Sequence, residues 1–318
     1  MLRAIGTVAW VGLLGSAAAG CVLGDQAEKF REPIPTAADV ALATPREQSA
    51  TPTKSALATA SAPTGYAKYY QFTRDVNDAV DVVTAIVLGS VWLVVHLPPT
   101  TVDSHQAVWG PGEGDPLSPV VWRFTVTETS KGEFDYRLDG RPKGSTAEAD
   151  FLAVLKGHGH GRAHPEHRDG WFSIDNDAAK NLDPARNKDN GTVKIMHALR
   201  SLPTNISVEL RPTANPTWAD ISVTHNADRS GAVDISAYGD IEDVLKDGNY
   251  EDIVMHSRWA VTGAGRADVQ ISGGSMPTLV KASECWAPTF VRTYYTDNVS
   301  YQPTEGDPTT CAFAVAAF

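Results

Sequence analysis

Four of the nine histidines of this chain lie within one stretch of ten residues. The sequence there reads Gly-His-Gly-His-Gly and then Ala-His-Pro-Glu-His, and its histidines are His158, His160, His164 and His167. Neutral imidazoles are good ligands for zinc, and a spacing of two on a strand places His158 and His160 on the same side. The four histidines are therefore candidate metal ligands, and zinc is the candidate cofactor.

The same stretch is similar to the HxHxDH ligand string of metallo-β-lactamase-type hydrolases. The match is incomplete, because no Asp stands before His164 and the helix and strand layers of that fold are not predicted. A glycine-rich loop with solvated histidines is the interpretation that the sequence favours. A metal-dependent hydrolase at residues 158–167 is the weakest of the functional hypotheses.

Two other polar segments could bind calcium. Residues 226–231 with Asp234 place oxygen ligands at alternate positions, but Ala237 occupies the position where a bidentate Glu is needed. A hairpin turn is the better interpretation, and residues 175–177 with Asp183 are interpreted in the same way. The chain has no Gly-x-Ser-x-Gly elbow and no glycine motif for phosphates, so we assign no catalytic residue and favour a protein that is not an enzyme.

Residues 1–20 have the layout of a secretory signal peptide. Arg3 is their one charge, an apolar run covers residues 4–14, and small residues follow. Residues 18–21 read Ala-Ala-Gly-Cys, which resembles the lipobox of bacterial lipoproteins, with Ala at the first position where Leu is usual. This resemblance implies cleavage before Cys21 and acylation of its sulfur and its amine. The alternative is an ordinary secretory signal with an incidental cysteine.

An acylated Cys21 would hold the chain at a membrane through its lipid anchor. Each buried methylene contributes about 0.8 kcal/mol, and two or more acyl chains hold a protein stably. Val22 follows the cysteine, whereas the enteric rule for retention at the inner membrane requires Asp there. The sequence therefore predicts a lipid-anchored protein of the bacterial cell envelope and favours the outer membrane.

Charge and cysteine content fit an exported chain that does not bind nucleic acid. The chain has 27 Lys and Arg against 38 Asp and Glu, a net charge of −11, whereas phosphate contacts need a clustered positive surface. If Cys21 is acylated, Cys285 and Cys311 remain in an oxidising compartment. They predict a disulfide that contributes about 3 kcal/mol, with two free thiols as the alternative.

Composition divides the rest of the chain into a tether and one domain. Residues 21–64 are rich in Ala, Thr, Pro and Ser and bury too little apolar surface to offset the cost of ordering the chain. They predict a flexible tether, in which a short ordered piece at residues 30–40 is allowed. Residues 65–318 then form a single domain of one helix and antiparallel strands.

The helix is predicted over residues 66–97. Tyr69, Phe72 and Val76 begin an apolar series at three- and four-residue steps, the spacing of one helical face. Residues 82–97 are apolar on nearly every side, which is typical of a helix buried in protein or in a membrane. The span is short for a bilayer, so burial inside the domain is favoured over a membrane span.

The remainder of the chain has the period of strands. Residues 122–127 and 134–139 alternate apolar and polar side chains around a Ser-Lys-Gly turn and predict a hairpin. Further alternating runs bring the total to about nine or ten antiparallel strands, which must curl, close or be covered. We therefore predict a mainly β (α+β) fold, with a large curved or barrel-like antiparallel sheet packed against one long apolar N-terminal helix.

Several motifs resemble those of a group of lipoproteins from myxobacteria-like bacteria. They are Trp-Gly-Pro at residues 109–111, Leu-Ser-Pro at 117–119, Ser-Arg-Trp at 257–259, the glycine-containing run at 262–268, and Ala-Ser-Glu-Cys-Trp at 282–286. The similarity covers residues 66–311. It implies an outer-membrane lipoprotein and implies no activity or ligand.

Two functional hypotheses follow beside the hydrolase. The first is a lipid-anchored envelope protein with a non-enzymatic binding or structural role. The second is a carrier of an apolar ligand or lipid in a cavity between the curved sheet and the helix, by analogy of fold with lipoprotein-sorting factors. A roomy apolar cavity would favour the carrier, and a packed core would count against it.

Overall fold

The computed structural model describes residues 27–36, 40, 65–113, 116–240, 248–274 and 276–318. The protein is mainly β, as the sequence predicts, with one open antiparallel sheet of 15 strands. Each strand pairs with its neighbour along the chain, so β1 and β15 are the two edges. The predicted signal peptide, Cys21 and most of the predicted tether lie outside the described residues.

The elements follow one another in a simple meander. The strands are β1 Thr101–Val102, β2 Gln106–Glu113, β3 Val120–Ser130, β4 Glu133–Pro142, β5 Leu152–His160, β6 Asp169–Asp175, β7 Thr192–Ala198, β8 Thr204–Arg211, β9 Trp218–His225, β10 Gly231–Gly239, β11 Glu251–Trp259, β12 Gly265–Gly273, β13 Val280–Trp286, β14 Arg292–Asp297 and β15 Glu305–Gly306. The α-helices are α1 Lys68–Val95 and α2 Asn176–Leu182, and 3₁₀ turns cover Glu28–Phe30, Glu148–Asp150 and Pro308–Thr310.

The predicted number of strands is too low, because five strands lack a clean apolar alternation. They are β1, β2, β13, β14 and β15. β2 contains Gly110, Pro111 and Gly112, and its register with β3 shifts there. β13 buries a glutamate and a cysteine beside its apolar residues. A period of two in hydrophobicity therefore finds only the strands that have one apolar and one polar face.

One face of the sheet carries a continuous apolar core. Ile206 pairs with Val223 between β8 and β9, and Val223 pairs with Val233 between β9 and β10. All three side chains are buried in one hydrophobic cluster that runs through most of the sheet. Each fully buried side chain of this size contributes about 1.5–3 kcal/mol. Burial of this face is therefore the main source of the fold's stability.

Part of the segment before the domain packs against this core. Residues 27–36 carry the 3₁₀ turn Glu28–Phe30, and the Phe30 side chain is fully buried. Its ring lies 5.9 Å from the ring of Phe134 in β4, edge to face. This ordered piece overlaps the predicted range of residues 30–40 and begins three residues earlier.

Helix α1 covers nearly the range that the apolar spacing predicts. The Glu284 carboxylate of β13 accepts hydrogen bonds from the backbone N–H groups of Lys68 and Tyr69, which satisfies two donors of the first turn. Burial raises the pKa of Glu284, and these two bonds act in the opposite direction. The side chains of residues 79–87 lie outside the described residues. In the last turns of α1, Leu88, Val91 and Val95 are buried but Trp92 is 47% exposed, so the predicted burial on every side is wrong for that part of the helix.

The C-terminal segment covers the opposite face of β11 to β13. Cys285 and Cys311 form a disulfide with their Cα atoms 5.5 Å apart, which confirms the predicted pairing. Beyond Cys311 the chain lies over a buried ion pair in which Arg266 Nε donates to Asp268 at 2.9 Å. The Ala317 N–H donates to the same carboxylate at 2.9 Å. The disulfide therefore fixes a segment that shields a charged pair from water.

No described helix combines the length and the apolar character that a bilayer crossing requires.

Glycines opposite large rings fix the register of several strand pairs. In the β12–β13 pair Gly265 lies opposite Trp286, and a Cβ on this glycine would lie 2.2 Å from the Cζ2 atom of the indole. Gly231 lies opposite Trp259 in the same way, with a Cβ distance of 2.4 Å. An aromatic ring that covers a cross-strand glycine excludes water from the exposed backbone. A side chain at either glycine would displace the ring.

Replacing Gly265 with alanine is expected to lower the free energy of unfolding by about 1–3 kcal/mol, because the buried indole of Trp286 must move. Gly144→Ala is the matched control, since no atom lies within 4 Å of its added Cβ. The control should change stability by less than about 0.5 kcal/mol. Urea unfolding followed by tryptophan fluorescence measures both values. Equal stability of the two variants would contradict the packing described.

Candidate metal centre

Two of the predicted ligands lie on strand β5, which is the structural basis of the site. His158 and His160 have the spacing of two that places them on one face of the strand. His160 is the last residue of β5 and pairs directly with Glu133, the first residue of β4. Residues directly opposite in an antiparallel pair point to the same face. The strand register therefore brings a carboxylate beside His160.

The connection from β5 to β6 folds back over the turn between β3 and β4, which contains Gly132. The Gly161 N–H donates to the Gly132 carbonyl at 2.9 Å, and the loop then makes successive turns. Gly132 has a φ of 78°, and a Cβ there would lie 3.5 Å from the Cβ of His164. The positive φ favours glycine at this position, and His164 lies in van der Waals range of it.

Three side chains converge as a result. The rings of His160 and His164 are stacked with centroids 4.5 Å apart and planes inclined by 15°. His164 Nε2 lies 3.7 Å from Glu133 Oε1. One ligand atom from each of Glu133, His160 and His164 falls within 4.8 Å of the other two. These residue types in this spacing can bind one divalent metal ion.

The proton positions on His160 follow from its hydrogen bond. Its Nδ1 lies 3.0 Å from the Asp169 carbonyl oxygen, which can only accept, so Nδ1 carries a proton. In the neutral ring Nε2 then presents a lone pair. The nearest charged atom to it in the described contacts is Glu166 Oε2 at 3.5 Å. Glu166 thus places a further carboxylate oxygen next to this nitrogen.

His164 has the opposite tautomer when neutral. Its Nδ1 accepts a hydrogen bond from the Glu166 N–H at 3.1 Å, so its proton lies on Nε2, towards Glu133. A metal bound at Nε2 would move this proton to Nδ1 and break the bond to Glu166. That bond belongs to an exposed loop and is worth about 1 kcal/mol. The cost is small beside the free energy of a metal–ligand set.

Glu133 is ionised near neutral pH. A hydrogen bond from the Ser130 hydroxyl lowers its pKa, and the neighbouring His164, His158 and His160 lower it further. The Ser130 hydroxyl binds Oε2, which leaves Oε1 directed at His164. A carboxylate that is already charged and held by a hydrogen bond is suited to bind a cation.

The other two predicted ligands lie nearby but have different partners. His158 Nδ1 lies 2.8 Å from Asp135 Oδ1, and the His158 ring is 5.0 Å from that of His160. His167 Nδ1 donates to the His160 carbonyl at 3.2 Å. Neither belongs to the convergent group. Glu133 and Glu166 were not among the ligands predicted from the sequence. Glu133 could have been found only from the register of β4 against β5, which places it opposite His160.

A cavity of about 300 Å³ lies beside this cluster. It separates residues 28–36 and the end of α1 from the ends of β5, β6 and β7. Most of its lining is polar, with Glu28, Arg31, Glu32, His96, His160, Arg162, His167, Arg168, Asp169 and His197 among the lining residues. Such a lining suits a polar ligand or water rather than a lipid chain.

No protein-family model, curated protein or solved structure matches this chain. The geometry of the chain's own residues is therefore the basis for any functional argument.

The two candidate calcium segments have structural roles instead. Residues 226–231 form the turn between β9 and β10, where Asp228 accepts hydrogen bonds from the N–H and the hydroxyl of Ser230. Asp175 caps the start of α2 by accepting from the Ala178 N–H at 2.9 Å. The Asp183 N–H closes the helix at the Ala179 carbonyl. The predicted turn is present at residues 226–231, whereas the predicted turn at residues 175–177 is wrong, because Asn176–Leu182 is helix α2.

Proposed function

We propose that this chain is an exported, lipid-anchored protein of the bacterial cell envelope with a non-enzymatic binding or structural role. The Cys285–Cys311 disulfide is the observation that carries the proposal. Disulfides persist in oxidising compartments outside the cytosol. Once these two cysteines are paired, Cys21 is the one thiol left in the sequence, at the end of the lipobox-like run. The outer membrane is the favoured location because Val22 follows it.

The anchor is tested by growing a producing bacterium with labelled palmitate. The isolated full chain is expected to carry the label, and the Cys21→Ala variant is expected to lose it entirely, because the acyl acceptor is the Cys21 thiol. Cys311→Ala is the matched control, since it removes a thiol that the proposal leaves unacylated. An unlabelled wild-type chain, or a label that survives Cys21→Ala, would contradict the proposal.

The carrier of an apolar ligand is the second candidate. The contacts of α1 with both ends of the sheet fit its curved sheet around a helix, whereas the packed apolar core counts against its cavity. The first turn of α1 lies on β13, and after its last turn the Leu97 carbonyl accepts from Trp109 Nε1 of β2 at 2.8 Å. Eleven strand spacings separate β2 from β13, about 53 Å in a flat sheet. A helix of 28 residues is about 42 Å long. A sheet curved around the helix reconciles the two lengths.

Native mass spectrometry of the full chain, extracted in mild detergent, separates these two candidates. A carrier retains a lipid of defined mass that is absent from detergent blanks, whereas a binding or structural protein of the first kind does not. The polar lining of the cavity at the end of α1 supports the first candidate. A metal-dependent hydrolase remains the third hypothesis, since three ligands with an open position are typical of catalytic zinc sites.

A further inference from the structure

We infer that Glu133, His160 and His164 bind one divalent transition-metal ion, with zinc as the ion that this ligand set fits best. The inference goes beyond the proposed function, because it holds whether or not the chain is lipid-anchored.

Side chains from separate parts of the chain converge at this site. Glu133 begins β4, His160 ends β5, and His164 lies in the following loop. Their ligand atoms already lie within 4.8 Å of one another. In a tetrahedral zinc site with bonds of about 2.0–2.1 Å, neighbouring ligand atoms are about 3.3 Å apart. Metal binding therefore requires these side chains to draw their ligand atoms together by up to about 1.5 Å.

His160 also contacts a second carboxylate, that of Glu166. The proton on His160 Nδ1 is directed to the Asp169 carbonyl, so the neutral ring presents its Nε2 lone pair to Glu166 Oε2 at 3.5 Å. Glu166 is therefore a further carboxylate beside this nitrogen. A metal ion on Nε2 would take Glu166, or a water molecule, as its fourth ligand.

The ligand types and their hydrogen-bond partners also fit a transition-metal site. Two imidazole nitrogens with a carboxylate select zinc and related transition metals over calcium and magnesium, which prefer oxygen ligands alone. His160 is held by the Asp169 carbonyl, and Glu133 by the Ser130 hydroxyl. Hydrogen bonds of this kind orient metal ligands in known sites.

Calorimetric titration of the full, metal-stripped and tag-free chain with zinc chloride at neutral pH tests the inference. We expect one zinc ion per chain, and we expect His164→Ala and Glu133→Gln each to weaken binding at least tenfold. Bound cobalt should show the visible absorption of a tetrahedral site with nitrogen and oxygen ligands. His256→Ala is the matched control, because His256 also pairs with a carboxylate, that of Asp234, on a distant strand. It should bind zinc as the wild type does.

Thermal unfolding without metal shows whether each variant is folded. Two results would overturn the inference: a folded wild type that gives neither binding heat with zinc nor cobalt absorption, or stoichiometric binding that persists in both His164→Ala and Glu133→Gln. Loss of zinc binding in His256→Ala would also overturn it, because the ion would then lie elsewhere. None of these results affects acylation of Cys21.

Discussion

Replacing Asp268 with alanine is expected to lower the free energy of unfolding by about 3–5 kcal/mol. The Asp268 carboxylate is almost fully buried and accepts from Arg266 Nε at 2.9 Å and from the Ser283 hydroxyl at 2.6 Å. Arg266 is itself only 4% exposed. Without the carboxylate a buried guanidinium keeps its charge and loses its counter-ion, which is among the most destabilising of single changes.

The matched control is Asp220→Ala. Asp220 pairs with Arg211 at 2.6 Å, but both side chains are more than 40% exposed. Exposed pairs contribute about 0–1 kcal/mol because water and salt screen them. Guanidinium chloride unfolding of the wild type and both variants measures the difference in unfolding free energy. Equal m-values show that the shift in midpoint reports a change in stability. A loss below about 1 kcal/mol in Asp268→Ala would show that the C-terminal segment does not exclude water from the pair.

Arg266 also donates to the carbonyls of Phe313 and Ala314, at 3.2 and 3.3 Å. These bonds still satisfy some N–H donors of the Arg266 guanidinium after loss of Asp268. If they survive, the loss of unfolding free energy is expected at the lower end of the range, about 3 kcal/mol. The same contacts hold the C-terminal segment in place. Asp268 itself accepts from the Ala317 N–H at 2.9 Å, so Asp268→Ala removes a contact of this segment and should increase the rate at which a protease cleaves after Cys311.

Removing the disulfide is expected to cost about 3 kcal/mol in unfolding free energy. The bond joins residues 26 positions apart, and closing a loop of this size reduces the entropy of the unfolded chain by about that amount. Cys311→Ala is the preferred variant, because Cys285 is fully buried and its replacement would also change the core. Urea unfolding of the wild type and of Cys311→Ala gives the difference directly.

A reductant provides the control for this measurement. It should destabilise the wild type by about the same 3 kcal/mol and leave Cys311→Ala unchanged, because that variant has no bond to reduce. If the wild type were equally stable with and without reductant, the bond would contribute nothing to the fold. If the reductant also destabilised Cys311→Ala, the effect would not come from this disulfide.

The sequence predicts those parts of the fold in which one face of a strand is apolar. Strands β8 to β10 alternate cleanly because their inner side chains, such as Ile206 and Val223, lie in the core and their outer ones are polar. Strand β12 is buried on both faces near its start, since the C-terminal segment covers Arg266 and Asp268. No local pattern indicates which distant segment provides such a cover.

The same distinction applies to the candidate metal centre. His160 and His164 can be proposed from their residue type and spacing alone. Glu133 lies 27 positions before His160 and becomes a neighbour only through the exact pairing of β4 with β5. The apolar alternation predicts a hairpin near these residues, but its register at the strand ends depends on the bulges between β4 and its neighbours. A side-chain cluster at a strand end is therefore difficult to predict from sequence.

The proposal that the chain is exported and acylated is tested most directly by its intact mass. The protein is extracted from the envelope of the producing bacterium without reductant and analysed whole by mass spectrometry. We expect a chain that begins at Cys21, carries the mass of its acyl groups and lacks the thiol hydrogens of Cys285 and Cys311. A chain that begins at Met1, or an unmodified chain with three free thiols, would contradict it.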